Sequence, residues 1–190
     1  MNKWLNKVEL KNENLKLEPL ELSHIDGLTN AVKDGELWNL WYTSAPKPKE
    51  VQCYIEKAIK DFEEDKSLPF AIFDTNKSLL VGTTRFMNAD QKNRRVEIGT
   101  TWYAKSSQRT GTNTQCKYLL LKYAFETLKC IAVEFRTHWH NTQSRTAITK
   151  LGAKQDGILR NHKFDKTGNL RDTVIFSIID SEWNTVKQSL

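Results

Sequence analysis

The sequence predicts a mixed α/β fold, with a mostly antiparallel central sheet of about seven strands flanked by about four helices. Three observations carry this. Apolar segments with strand character at 68–73, 79–87 and 94–103 follow one another with only polar turns between them, which makes a three-stranded meander. A polar loop at 108–113 then opens directly into a long helical run, followed by another strand, as a crossover connection requires. Two helical segments precede the meander, so helices and strands are mixed along the chain rather than segregated.

Residues 15–20 (LKLEPL) alternate apolar and polar and form the first strand. Ser23 is placed to cap a helix starting near His24, with Asp26 in its first turn. Residues 34–43 (DGELWNLWYT) crowd Leu37, Trp38, Leu40, Trp41 and Tyr42 into one short stretch. After Pro46 and Pro48 comes an amphipathic helix in which Val51, Tyr54, Ile55, Ala58, Ile59 and Phe62 recur at helical spacing. Residues 74–77 carry turn chemistry and 88–93 read as a hairpin loop. The helix over 113–128 gathers Leu120, Leu121, Ala124, Phe125 and Leu128 on one side and places Lys117, Lys122 and Lys129 elsewhere. A strand at 131–138 and a short helix at 143–151, stopped by Gly152, follow. Strands at 155–163 and 173–179, joined through a turn with Gly168, close the sheet.

The length of 190 residues suits one domain over 1–190, and 38% hydrophobic residues with 10% aromatics can build its core. The net charge of +6 favours an acidic ligand such as a phosphorylated cofactor. No basic block interleaved with aromatics occurs, so nucleic acid is not the primary reading. The three cysteines, Cys53, Cys116 and Cys130, are odd in number and form no C-x-x-C, which argues against a disulfide framework or a zinc site. His138 and His140 share one strand face, but no spacing offers a third ligand, so no metal is expected. With no apolar window of spanning length and no leader pattern, the expected location is cytoplasmic, without a membrane partner.

The chemistry concentrates between Glu97 and Lys117. The loop Gln108-Arg109-Thr110-Gly111-Thr112-Asn113 at a helix start presents unpaired backbone N–H groups to one point, where the helix dipole adds about half a positive charge. Such a site holds a phosphate or pyrophosphate. G-x-x-x-x-G-K-[ST] is absent, and no G-x-G-x-x-G follows a strand, which excludes the hydrolysing P-loop and leaves the dinucleotide fold unsupported.

What remains, Q-x-x-G-x-N, resembles the pyrophosphate loop [QR]-x-x-G-x-[GA] of the GCN5-related N-acetyltransferases, GNAT. Gln108 through Thr112 fit the pattern and Asn113 departs from it. The element order is also similar to that family. Asn141-Thr142-Gln143-Ser144, then Leu151-Gly152-Ala153 and Gly157-Ile158-Leu159-Arg160, resemble its RimJ/RimL-like branch, as does the opening LKLEPLELSHIDGL.

The resemblance implies direct transfer of an acetyl group from acetyl-CoA to a primary amine, on a protein N-terminus or a small molecule, within a ternary complex. It implies that Gln108, Arg109, Thr110, Gly111, Thr112 and Asn113 take the pyrophosphate. The strand with Thr101, Trp102 and Tyr103 would splay from its parallel neighbour and lend its backbone to the pantetheine arm. The chain has one residue more between Glu97 and Gln108 than the commonest family spacing, which a bulge would absorb. Glu97 is the candidate base, directly or through water, with an ion pair to Arg85 or Arg95 as its structural alternative. Ser144 would serve the leaving thiolate, ahead of Tyr103 and Tyr123, and Asn141 would contact the pantetheine or order the turn. Trp38, Trp41, Tyr42, Arg85 and Phe86, with Asn88, would line the acceptor cleft, and a packed helix–helix core is the alternative for the aromatics. Holding an α-amine neutral at pH 7 costs about 1 kcal/mol and a lysine-type amine about 4–5 kcal/mol, so only the second demands a strong base. A homodimer is common in such enzymes. Two further readings stay open: a non-catalytic acyl-CoA-binding regulatory module, needing neither Glu97 nor Ser144, and an RNA- or ribosome-associated protein.

Overall fold

The computed structural model describes residues 3–43, 45–165 and 167–190. Among these residues, eight strands form one sheet in the order β1-β2-β3-β4-β5-β6-β8-β7. The strands are β1 (Leu10–Lys11), β2 (Leu15–Pro19), β3 (Ser67–Asp74), β4 (Leu79–Asp90), β5 (Arg95–Tyr103), β6 (Ala132–His138), β7 (Lys154–Phe164) and β8 (Leu170–Ile179). Every pairing is antiparallel except β5 with β6. The meander closes through side-chain turns. Asp74 Oδ1 accepts from the N–H groups of Asn76 and Lys77, and Asp90 Oδ1 from that of Asn93. The second turn is tighter than the sequence suggests, because β4 runs on to Asp90 and keeps Asn88 inside the strand.

Five α-helices cover the sheet: α1 (Ile25–Lys33), α2 (Val51–Glu63), α3 (Thr112–Lys122), α4 (Thr142–Lys150) and α5 (Asp180–Ser189). Alternation along β3 separates two cores. Phe70 and Ile72 belong to the cluster with α3, α4 and α5, whereas Ala71 joins the cluster with α1 and α2. Leu28, Val32, Val51 and Ile55 fill the second core, fully removed from solvent.

Two elements exceed the expected seven strands and four helices. The first strand, β1, is a two-residue pairing with β2. The last helix, α5, buries Trp183 and Val186, and the Trp183 ring stacks on Phe125 with centroids 5.3 Å apart. Ser23 is not the cap of α1. The chain enters through a 3-10 turn at Leu22–His24, where His24 Nδ1 accepts from the Glu21 N–H at 3.0 Å. The run after α3 widens into a π turn at Tyr123–Thr127, with the Leu128 N–H donating back to the Tyr123 carbonyl. Leu120, Leu121, Ala124 and Phe125 are buried as their spacing predicts, but so is Lys117, which the sequence reading placed away from the core.

Candidate active site

Among the described residues the only parallel pairing in the sheet is also its shortest beyond β1. β5 and β6 meet at Arg95↔Ala132, Val96↔Val133 and Glu97↔Glu134, and there the pairing stops. β5 continues to Tyr103 and β6 to His138, so the two strands part beyond Glu97 and leave the facing backbone edge of β5 without a strand partner. Free N–H and C=O groups along such an edge can take the amides of an extended ligand as though it were an added strand.

The bulge required by the spacing lies in this diverging segment. Arg85 pairs with Gly99 and Thr83 with Trp102, so Thr100 and Thr101 together oppose Thr84. Thr100 takes a left-handed conformation with φ 49°. The extra residue switches the faces of everything after it. Val96 and Ile98 point into the α3 core; without the bulge Trp102 would follow them, but instead it packs in the α1/α2 core and Tyr103 takes the α3 side. The side chains of Trp102 and Tyr103 are therefore structural, and only their backbone faces the gap. Burial, with Cys116 beside it, pushes the Tyr103 hydroxyl well above its usual range. The Thr101 hydroxyl is engaged on the core side: Lys117 Nζ donates to it at 2.7 Å, and it lies 2.8 Å from Thr84 Oγ1.

Beyond β5 the chain makes a 3-10 turn at Lys105–Ser107 and then the glycine loop. Gln108 Nε2 donates to the Tyr103 carbonyl, tying the loop to the strand end, and Thr110 Oγ1 donates to the Ser107 carbonyl. Arg109 and Gly111 are left-handed at φ 63° and 89°. Gly111 is the N-cap of α3 and its carbonyl accepts the first helical bond, from the Gln115 N–H. Among the described residues the N–H groups of Arg109, Thr110 and Gly111 have no partner. A Cβ built at Gly111 meets only Gln115 Nε2, at 3.8 Å, so the turn opens on free space. Left-handed residues ahead of a helix start form an anion-binding concavity. Asn113, the departure from the family pattern, sits inside α3 and needs no special backbone geometry.

Glu97 ends the parallel pairing and is 6% exposed. Its Oε2 accepts from Asn88 Nδ2 at 2.7 Å and lies 3.4 Å from Arg136 Nε. The expected ion pairs with Arg85 and Arg95 do not form: Arg85 reaches Asp61 on α2, and Arg95 is held by Glu134. Arg136, which the sequence reading did not single out, projects from β6 on the same face as Glu97 and bridges it to Glu134. The polar residues at alternate positions of β6, Glu134, Arg136 and His138, are the signal that marks this face. Burial raises the Glu97 carboxyl above its usual range, against the Asn88 hydrogen bond and the Arg136 charge. Its Oε1 has no hydrogen-bond partner among the described residues and is not sealed from solvent. Gly99 makes this arrangement possible, since a Cβ there would lie 3.1 Å from Oε1 and 2.8 Å from Met87 Sδ.

Past β6, Asn141 caps α4. Its Oδ1 accepts from the Ser144 N–H at 3.0 Å, so ordering the turn is the role its side-chain oxygen performs. Ser144 lies in the first turn of α4, half-buried.

The proposed acceptor residues divide. Phe86 is fully buried between Phe70 and Tyr123 in the α3 core, on the face opposite Arg85, and is not brought to the cleft. Trp38 packs against the α1/α2 core, as its helix–helix alternative has it. Arg85 is buried over the Tyr54 ring and paired with Asp61. Trp41 and Tyr42 turn outward. The Trp41 ring meets His138 edge-on at 4.8 Å and Tyr42 at 5.5 Å, and Trp41 stays 44% exposed. Two other concavities, one between residues 19–23 and α2 and one along α4 beside Gln155 and Phe176, contain none of the sequence-predicted site residues.

Residues 14–154 match the family model Acetyltransferase (GNAT) domain. The protein is 26% identical over 178 residues to a Bacillus licheniformis protein named Uncharacterized N-acetyltransferase p20, covering 92% of this chain and 97% of the relative. Among solved structures, a GCN5-related N-acetyltransferase from Brucella melitensis superposes with a TM-score of 0.87 at 30% identity, covering 97% of this chain and 84% of that one. The microcin C7 self-immunity acetyltransferase MccE, solved with acetyl-CoA and AMP, shares the fold with a TM-score of 0.76 at 18% identity, covering 88% of this chain and 93% of that one. A parted parallel strand pair, a glycine turn at the head of the following helix and a model match over most of the chain together make one assignment: this protein belongs to the GNAT family and is an N-acetyltransferase.

Proposed function

We propose that the protein transfers the acetyl group of acetyl-CoA directly to a primary amine, with both substrates bound at once. The observation that carries this reading is the end of the β5–β6 pairing at Glu97, with the Gly111 turn at the far end of the opened strand. The residues fit the donor. The unpartnered N–H groups of residues 109–111 suit its diphosphate, and the free edge of β5 from Ile98 to Trp102 suits the amides of its pantetheine arm. MccE, which shares the fold, holds acetyl-CoA, in keeping with this use of the scaffold.

The amine must lose a proton before it attacks. Glu97 is positioned for this on the open face, with Oε2 anchored by Asn88 and Arg136 and Oε1 left free to accept, directly or through a water. Its anchored geometry removes the cost of orienting a flexible carboxylate during reaction. On the other side of the gap, Ser144 is the hydroxyl that could protonate the departing thiolate, and its position is fixed by the Asn141 cap. Trp41 and Tyr42 then form a wall of the acceptor cleft.

The test is single-turnover release of CoA thiol with a panel of amines, alongside calorimetry with acetyl-CoA. Saturable heat of association and amine-dependent thiol release are expected. Association without release from any amine would turn the reading to an acyl-CoA-binding module, and no association would remove it.

A further inference from the structure

We propose that the acceptor carries a carboxylate as well as its amine, and that Arg171 and His138 seat that carboxylate at the open ends of β8 and β6. This rests on the acetyltransferase reading for the amine, but not for the anion site itself.

His138 is 4% exposed. Its Nδ1 accepts from the His140 N–H at 3.0 Å, so the neutral ring carries its proton on Nε2. Among the described residues that Nε2 is buried and has no partner. Arg171 lies on the same face. His138 pairs with Thr173 across the β6–β8 ladder, and Arg171 is two residues from Thr173, with its Nη2 donating to Thr173 Oγ1 at 3.3 Å. Diagonal neighbours of this kind are about 7–8 Å apart at the backbone, within the reach of both side chains. Arg171 Nε is also buried without a partner among the described residues.

No carboxylate lies within ion-pair distance of Arg171 among the described residues, although carboxylates are close in the chain. Asp172 is taken by Arg160 at 2.5 Å and by the Asn161 N–H at 2.8 Å. Asp165 holds its own turn with Oδ1, through Thr167 and Asn169, and its charge acts on Arg171 from beyond ion-pair distance. Two neighbouring groups on this face are paired: Thr173 Oγ1 is shared with His162 Nδ1 at 3.0 Å, and Arg136 has both Glu97 and Glu134. What is left over at the His138–Arg171 end is two donors with no acceptor in hydrogen-bond reach among the described residues, one of them on a guanidinium. A partly buried guanidinium without an anion is costly, and a carboxylate matches its fork and can accept from a second N–H as well. Burial holds His138 below its usual range, with the Arg171 and His140 charges acting the same way and the Asp165 and Asp172 charges against them.

The location fits an acceptor. Glu97 is level with Glu134, and His138 lies four residues further along β6, about 13 Å away on the same face. Arg171 reaches back to the level of His138, since its Nη2 donates to Thr173 Oγ1, and the Glu97 side chain shortens the distance from the other end. Trp41 stands beside His138, with Tyr42 against Trp41, and the pair offers an apolar wall to the acceptor's side chain. A polyamine would place a positive charge against Arg171 and is disfavoured.

Product mimics test the site without turnover. Calorimetry would compare N-acetyl derivatives of Phe, Leu and Met with the corresponding N-acetyl amides, on the full chain and on R171Q and R171K. For wild type, at least one acid is expected to bind about tenfold more tightly than its amide. R171Q should abolish that preference and R171K should reduce it, with the affinity for acetyl-CoA unchanged in each. Equal affinities for every acid and its amide, no association of any acid at millimolar concentration, or a preference that survives in folded R171Q would each overturn the proposal. Failure to bind acetyl-CoA would instead remove the transferase reading and leave this comparison standing.

Discussion

Lys117 donates from Nζ to Thr101 Oγ1 at 2.7 Å, so a buried ammonium on α3 holds the bulge of the strand that the donor is expected to follow. Thr84 completes the cluster, 2.8 Å from Thr101 Oγ1 and 3.4 Å from Lys117 Nζ. Lys117 is 5% exposed and forms no ion pair among the described residues. A charge buried against hydroxyls alone destabilises the fold, which makes its placement under the bulge informative. It links the helix that begins at Gly111 to the one place where β5 departs from regular pairing.

The Lys117 arrangement predicts an unusual pH dependence. Burial lowers its pKa to about 8, from an ordinary 10.5. Between these values the unfolded chain binds more protons than the folded one, so this residue makes stability rise with pH across that window. The cost is fully present below about pH 8 and is relieved as the pH approaches 10.5, a change on the order of 3 kcal/mol. Tyr103 and Cys116, both raised by burial, act in the opposite direction at high pH, so K117M is the necessary reference. Urea denaturation at pH 7 and pH 9.5 should show wild type gaining on K117M at the higher pH. Parallel behaviour of the two proteins would mean that the ammonium is not buried. K117M should also bind acetyl-CoA more weakly, because the bulge loses its tether.

The part of this site made by backbone was legible in the sequence, and the part made by paired charges was not. Gly111 reads as a turn because only glycine takes φ near 90° without strain, and the bulge at Thr100–Thr101 reads from a count of residues. Arg136, Lys117 and the Trp41–His138 contact depend on which strand lies beside which, and on which face a bulge has switched. Phe86 went to the wrong side for this reason, since neighbours on a strand point to opposite faces and Arg85 had been placed with it. Helix α5 was missed because its ten residues bury only Trp183 and Val186, too few to establish a period.

Gly111 and Gly82 should respond to alanine for different reasons. At Gly111 the space is open and the cost is conformational, about 1–2 kcal/mol, with acetyl-CoA affinity falling as the loop relaxes. At Gly82 a Cβ would land 2.1 Å from the Trp102 carbonyl oxygen, so G82A must part β4 from β5 next to the bulge. Thermal melts and acetyl-CoA titration separate them: G111A folds and binds weakly, whereas G82A is lost chiefly in stability. An affinity for acetyl-CoA unchanged in G111A would remove the loop from donor binding.

Asn141 and Ser144 share one hydrogen bond but should fail differently. N141A removes the cap of α4 and is expected to cost about 1 kcal/mol, while displacing Ser144. S144A keeps the Ser144 N–H and hence the cap, so its stability should stay near wild type. If the Ser144 hydroxyl protonates the leaving thiolate, S144A lowers kcat roughly 10²-fold with little change in acetyl-CoA affinity. Wild-type turnover in S144A would leave the serine as an ordinary first-turn residue.

Glu97 offers the sharpest separation of catalysis from structure, because its two oxygens have different surroundings. Oε2 is held by Asn88 and Arg136, and Oε1 is free. Burial raises the carboxyl above its ordinary 4.5, so the folded protein binds this proton more tightly than the unfolded chain does. Stability from this group therefore declines as pH rises through the raised value, while the basic form needed for proton removal becomes available over the same interval. The acidic limb of kcat/KM should lie above the ordinary glutamate range and disappear in E97Q, which is expected to lower kcat roughly 10²-fold or more and leave acetyl-CoA affinity nearly intact. R136M supplies the second measurement. Removing the guanidinium withdraws the charge that opposes burial, so the limb should move to higher pH, while Glu134 keeps its bond from Arg95 at 2.7 Å. A limb that stays in place in R136M would show that the titrating base is some group other than Glu97.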